Sequence, residues 1–139
     1  MALKGSKQTV TPKKLAANRA NALKRARPGS LLRQLLGHYK QSAQRRNLSF
    51  TLTENQFESL VQKECWYCGQ PPSRQYRPTR YKEGYLSSGV DRVDNRYGYE
   101  DFNCVPCCKT CNQFKATLTV QQMFDVVKRI YDRHIRSNN

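Results

Sequence analysis

Two Cys-x-x-Cys turns about forty residues apart constrain this chain more than any other feature: Cys65-Trp66-Tyr67-Cys68, and the run Cys104-Val105-Pro106-Cys107-Cys108-Lys109-Thr110-Cys111. Each turn projects two sulfurs from one tight bend, and two such pairs supply the four thiolates of a structural zinc ion. In small finger peptides such binding contributes roughly 10–16 kcal/mol, which decides whether a marginal domain folds, so chelation is expected to unfold the protein. The second run offers two pairs of equal spacing. If Pro106 ends a strand and a helix begins near Cys108, then Cys108 and Cys111 share its first turn. The expected ligands are therefore Cys65, Cys68, Cys108 and Cys111, with Cys104 and Cys107 buried as small apolar residues. Spacing by itself leaves Cys104 and Cys107 open as the alternative pair.

A staple matters because the core is small. The chain has 139 residues, 37% of them hydrophobic and 25% charged, enough for one domain plus a tail and marginal without a metal or bridges. The opening Met1-Ala2-Leu3-Lys4-Gly5 has no apolar run of the leader type, and no stretch approaches the ~20 apolar residues that span a bilayer. The expectation is an intracellular protein, cytoplasmic or nucleoid-associated, with no membrane partner. In a reducing compartment its cysteines ligate metal rather than form bridges.

The net charge of +15 is unevenly placed. Residues 1–53 hold twelve Lys or Arg and no acid, whereas residues 54–139 hold thirteen basic and ten acidic residues. This is the pattern of a basic arm on a nearly balanced domain, with a polyanion as partner: DNA, or RNA as the alternative. The arm, residues 1–28, lacks large apolar residues and is expected to be largely disordered when free. Its stretch 15–27 is rich in Ala, Leu, Lys and Arg and should turn helical on a phosphate backbone. Lys13, Lys14, Arg19, Lys24, Arg25 and Arg27 are its expected phosphate contacts.

Residues 29–139 then read as an α+β domain. Pro28-Gly29-Ser30 punctuates the chain, and Leu31, Leu32, Leu35, Leu36, Tyr39 and Ala43 recur at helical spacing, predicting a helix over about 30–46. Leu48, Phe50 and Leu52 alternate as in a short strand. Thr53-Glu54-Asn55-Gln56 and Thr119-Val120-Gln121-Gln122 are capping boxes, opening helices over about 54–63 and 120–134. In the last, Met123, Phe124, Val127, Ile130 and Tyr131 share a face. Residues 71–88 show no clean period and read as a loop, where Tyr76, Tyr81 and Tyr85 among Arg74, Arg77, Arg80 and Lys82 could stack on bases and neutralise phosphates.

Between the cysteine pairs the layout is strand, turn, strand, helix. In order come Cys-x-x-Cys-Gly, Val90-Asp91-Arg92-Val93-Asp94-Asn95, Gly98-Tyr99 with Asn103, and Pro106-Cys107-Cys108-x-x-Cys111-Asn112-x-x-Lys115. Over roughly residues 64–116 this resembles the HNH endonucleases of phages and mobile elements, also called His-Me finger proteins. The resemblance implies a small ββα-metal fold with a four-cysteine zinc knuckle and flanking helices. It also implies a catalytic Mg²⁺ or Mn²⁺ beside the structural Zn²⁺, and phosphodiester hydrolysis in a host cell if the gene is phage-borne. By motif, Asp91 and Asn112 match the family's ligands to the divalent ion, and Asn103 matches the Asn that orients the site. Lys115 closes the motif and is taken as a further nucleic-acid contact.

One departure changes the expected chemistry. Most members have Asp-His where this chain has Asp91-Arg92, and a guanidinium cannot accept a proton. Arg92 is expected to clamp the phosphate and stabilise developing charge. The base is then Asp94, a metal-bound hydroxide, or one of the two histidines, although His38 and His134 read as surface or cap residues and Asp94 as a turn residue. Two functions follow: a metal-dependent endonuclease that nicks or cleaves DNA, or a catalytically inactive HNH-fold DNA- or RNA-binding module of a nucleoprotein assembly.

Overall fold

A computed structural model describes residues 11–14, 16–17, 28–79 and 81–136. Arg19, Lys24, Arg25, Arg27 and Arg80 fall outside the described residues, as does most of the arm. Within the arm, residues 12–14 and 16–17 are helical, where composition predicts disorder, and Lys13 and Lys14 are exposed there.

Helix α1 (Pro28–Arg45) begins at the punctuating proline, a position where the missing N–H costs nothing. Leu32, Leu35, Leu36 and Ala43 on one side of it pack with Phe57 and Val61 of helix α2 (Glu54–Val61) into the main core. Phe57 and Val61 have no exposed surface, and burying each side chain contributes about 1.5–3 kcal/mol. Thr53 accepts from the Gln56 amide while Gln56 accepts from the Thr53 amide, which closes the first capping box.

Residues 71–88 are not the loop their composition suggests. Strands β1 (Arg74–Tyr76) and β2 (Tyr85–Ser87) pair antiparallel, with Tyr76 opposite Tyr85. Three-residue strands are too short to show a period. The end of this hairpin is fastened to α2, since the Ser88 amide donates to the Val61 carbonyl and its hydroxyl to the Lys63 carbonyl. The predicted strand over Leu48, Phe50 and Leu52 shrinks to one bridge between Phe50 and Tyr99. Its inward alternation survives: Leu52 is buried in the main core, and Leu48 and Phe50 are half-buried against it, with exposed residues between them.

Strand β3 (Gly89–Arg92) pairs antiparallel with β4 (Cys104–Cys107), setting Asp91 against Val105 and Arg92 against Cys104. Alternation puts Val90 and Cys104 into the main core and sends Asp91 and Cys107 to the other face. Helix α3 (Lys109–Lys115) lies on β3, and α4 (Val120–His134) follows it behind the second capping box. Cys65, Cys107, Cys108, Cys111 and Met123 form a second, smaller core there. Met123 alone of the predicted α4 face is buried; Phe124, Val127, Ile130 and Tyr131 are each more than 40% exposed. A helix period defines a face but does not supply something to cover it.

Among the described residues no helix is long and apolar enough to cross a membrane.

Candidate metal centre and catalytic unit

The two cysteine turns meet across the base of α3. Ligand sulfurs of Cys65, Cys68, Cys108 and Cys111 lie within 4.8 Å of one another, and those of Cys68 and Cys108 are 3.7 Å apart. Four thiolates about 2.3 Å from a tetrahedral ion are necessarily about 3.8 Å from each other, so these four cysteines are positioned to bind a metal ion. Local chemistry explains the placement. Gly69 takes a φ of 75°, which lets the first turn close with its amide donating to the Cys65 carbonyl. In the second run, Cys108 is the N-cap of α3 and its sulfur accepts from the Cys111 amide, so both thiols face one side of the first turn.

Cys104 packs into the main core, whereas Cys107 lies beside the cluster without joining its four sulfurs. Burial pushes the Cys104 thiol up to about 12 and drives the Cys107 thiol higher still, so both stay protonated at neutral pH. The Cys107 S–H donates to the Cys108 carbonyl.

The motif residues between the cysteines divide into supports and open groups. Asn103 is buried, accepting from the Asp94 amide at 2.9 Å and donating to the carbonyls of Asp94 and Gly98 at 3.0 Å each. It thus ties the turn from Asp94 to Gly98 to the foot of β4. Asp91 is buried on β3, where one oxygen, Oδ2, accepts from the Tyr67 hydroxyl at 2.6 Å and lies 3.3 Å from Lys115 Nζ. Burial and the adjacent carboxylate both hold the Tyr67 phenol protonated. Its other oxygen takes no hydrogen bond, and no sealed polar side-chain atom among the described residues lacks a partner. Oδ1 is therefore not sealed, although the Asp91 side chain keeps only 8% of its surface exposed.

Three of the expected site residues are engaged within the fold. Lys115 is not on the surface: it has no exposure, and its ammonium donates to the Arg92 carbonyl beside Asp91. Arg92 is tied into the fold through one guanidinium nitrogen, Nη1. It is buried, donates to the carbonyls of Asn95 and Tyr97 at 3.0 and 2.7 Å, and lies over the Tyr99 ring, all of which fix the same turn that Asn103 holds. Asp94 is a poor base, because Arg96 binds it through side chain and amide and holds its carboxyl down at about 2.

Asn112 is exposed on α3, on the wall of a cleft of about 880 Å³ that α1 and the β1–β2 hairpin enclose. Asp91 does not line that cleft, whereas His38 does, its Nε2 lying 3.2 Å from the Tyr76 hydroxyl. Nothing in the sequence singles out His38 over His134. Its position follows from the hairpin, which periodicity does not reveal.

No family model matches this sequence. A protein of Acanthamoeba polyphaga mimivirus, "Uncharacterized protein R423", is 40% identical over 83 residues, which is 60% of this chain and 14% of that protein. The "Uncharacterized 29.0 kDa protein in dda-modA intergenic region" of Enterobacteria phage T4 is 30% identical over 95 residues, 68% of this chain and 36% of that protein. The chain thus spans well under half the length of either viral relative. Among solved structures it is similar to the rare-cutting HNH restriction endonuclease PacI, a protein described as perturbing DNA. The TM-score is 0.51 at 26% identity, over 75% of this chain and 77% of that one.

Proposed function

We propose that this chain, which belongs to the HNH endonuclease family by its fold and the order of its motifs, is a metal-dependent nuclease that nicks or cleaves DNA. The observation that carries this reading is the β3–β4–α3 unit itself, built against the cysteine cluster and presenting Asp91 Oδ1 and the Asn112 amide as oxygen donors. Zinc suits the cysteine set, since four thiolates at tetrahedral spacing are its usual structural site. An Mg²⁺ or Mn²⁺ ion suits oxygen donors of this kind, because such hard ions take few protein oxygens and keep several waters. Asp91 and Asn112 would hold it, and it would polarise a scissile phosphate and stabilise the leaving oxygen. The chain's own part is to fix that unit: Lys115 and Tyr67 orient Asp91, and Asn103 and Arg92 lock the turn that follows.

Purified protein incubated with supercoiled plasmid and Mg²⁺ or Mn²⁺ should convert it to the open circle. EDTA and Asn112→Ala should each abolish the conversion; nicking that survives both overturns the proposal. A second reading, an inactive HNH-fold module that binds DNA or RNA, is favoured by one observation. Arg92 stands where the family's proton acceptor is expected, and its Nη1 is bonded to the turn. Tight nucleic-acid binding with no cleavage under either metal would select it.

A further inference from the structure

The cleft beside Asn112 carries a charge pattern that neither the motif nor the cysteine cluster explains. Arg45 from the last turn of α1, and Arg74 and Arg77 from the hairpin, line it together with His38, and no Asp or Glu is among its lining residues. Arg45, Arg74 and Arg77 are exposed, and none forms an ion pair with a described residue. Elsewhere the chain does pair its arginines: Arg33 with Glu54, Arg96 with Asp94, Arg136 with Asp132. Three unneutralised guanidiniums in one concavity focus a positive potential there, and each offers the planar fork that binds phosphate oxygens in pairs.

From this we infer that the cleft between α1 and the β1–β2 hairpin seats the phosphodiester backbone of the nucleic acid, gripped by Arg45, Arg74 and Arg77. The inference rests on the proposed function for the identity of the polyanion and adds the place where it binds. The arginines come from two separate elements, which suits a chain of phosphates better than a single small anion. Asn112 stands on the same wall, so a strand held there passes one of the two proposed oxygen donors. Ser87 and Ser88, buried at the floor, leave room for a backbone rather than filling the cleft with bulk. The basic arm then supplies general attraction, and the cleft supplies the grip next to the chemistry.

The test compares two triple variants of the full, zinc-loaded chain binding a short labelled duplex and the matching single strand, without added Mg²⁺ or Mn²⁺. One is Arg45→Gln/Arg74→Gln/Arg77→Gln. The other, Lys63→Gln/Lys109→Gln/Arg129→Gln, removes the same charge from exposed positions outside the cleft. Each phosphate that is no longer neutralised makes the slope of log affinity against log salt shallower by about 0.9 on duplex DNA. The cleft variant should therefore lose roughly 2 to 3 from the slope and at least tenfold in affinity, while the control stays near wild type. Equal losses in the two variants, or an unchanged slope in the cleft variant, overturn the inference; circular dichroism and zinc content confirm that both remain folded. Plasmid nicking by the wild type separates the two claims. A wild type that binds through the cleft but never nicks removes the nuclease reading alone, and a nicking wild type whose cleft variant binds unchanged removes the cleft alone.

Discussion

The ammonium of Lys115, with no exposed surface, lies 3.3 Å from the Asp91 carboxylate and donates to the carbonyl of Arg92 at 2.9 Å. One helix residue thus neutralises a buried acid and anchors the end of β3. Removing one partner of a buried pair leaves the other charge without compensation and costs about 3–5 kcal/mol. Lys115→Met should lose about that much in urea denaturation. Adding Asp91→Asn to it should restore part of the loss, because the orphaned charge is then gone. A Lys115→Met protein as stable as the wild type contradicts the pairing.

The two cysteine pairs of the second run make opposite predictions. Cys108→Ala and Cys111→Ala should each abolish metal binding by the cluster and unfold the domain, since each removes a thiol that lies within 4.8 Å of the others. Cys104→Ala and Cys107→Ala remove buried protonated thiols and should leave metal binding intact, at a packing cost of about 1–3 kcal/mol. Metal analysis of the purified variants checks this. Loss of zinc from Cys107→Ala would reassign the ligand set.

What was legible in the sequence was mostly local. Both capping boxes are four-residue signals and form as read. Cys108 and Cys111 are singled out by where a helix must start, and Cys108 is the N-cap. What was hidden depends on partners far along the chain. Lys115 reads as one more surface cation in a basic protein, because its burial is decided by Asp91, twenty-four residues earlier. Arg92 reads as a phosphate clamp until the turn at Asn95 and Tyr97 folds back over it. The hairpin at 74–87 needs a register between two three-residue segments, and no period within either segment reports that.

Asp94 gives a pH signature. Arg96 and its amide hold the carboxyl at about 2, below the ordinary value of 3.8. The folded value is the lower one, so the pairing stabilises the turn fully above about pH 4, and that contribution disappears as pH falls from about 4 toward 2. The difference in Tm between wild type and Asp94→Asn should accordingly be constant near neutrality and shrink across that acid window. Because Asp94 is spent on Arg96, plasmid nicking near neutral pH should survive Asp94→Asn; its abolition in a variant that remains folded would restore Asp94 as the base.

Gly98 connects the family motif to the segment before it. A Cβ built at Gly98 would stand 2.3 Å from both the carbonyl oxygen and the hydroxyl oxygen of Ser49, and 2.8 Å from the Ser49 nitrogen. The approach is steric rather than conformational, since Gly98 is not among the residues with positive φ. It is this closeness that lets the Tyr99 amide reach the Ser49 carbonyl at 2.8 Å and the Thr51 amide reach the Tyr99 carbonyl at 3.0 Å. Those bonds lay the 48–52 segment along the turn that Asn103 and Arg92 hold. Gly98→Ala must push the two backbones apart and should cost about 1–3 kcal/mol, the usual penalty of overpacking. Amide hydrogen exchange should then show faster exchange at Thr51 and Tyr99, with the α2 amides far less affected. Unchanged protection at both would mean that the turn and the segment do not pack this closely.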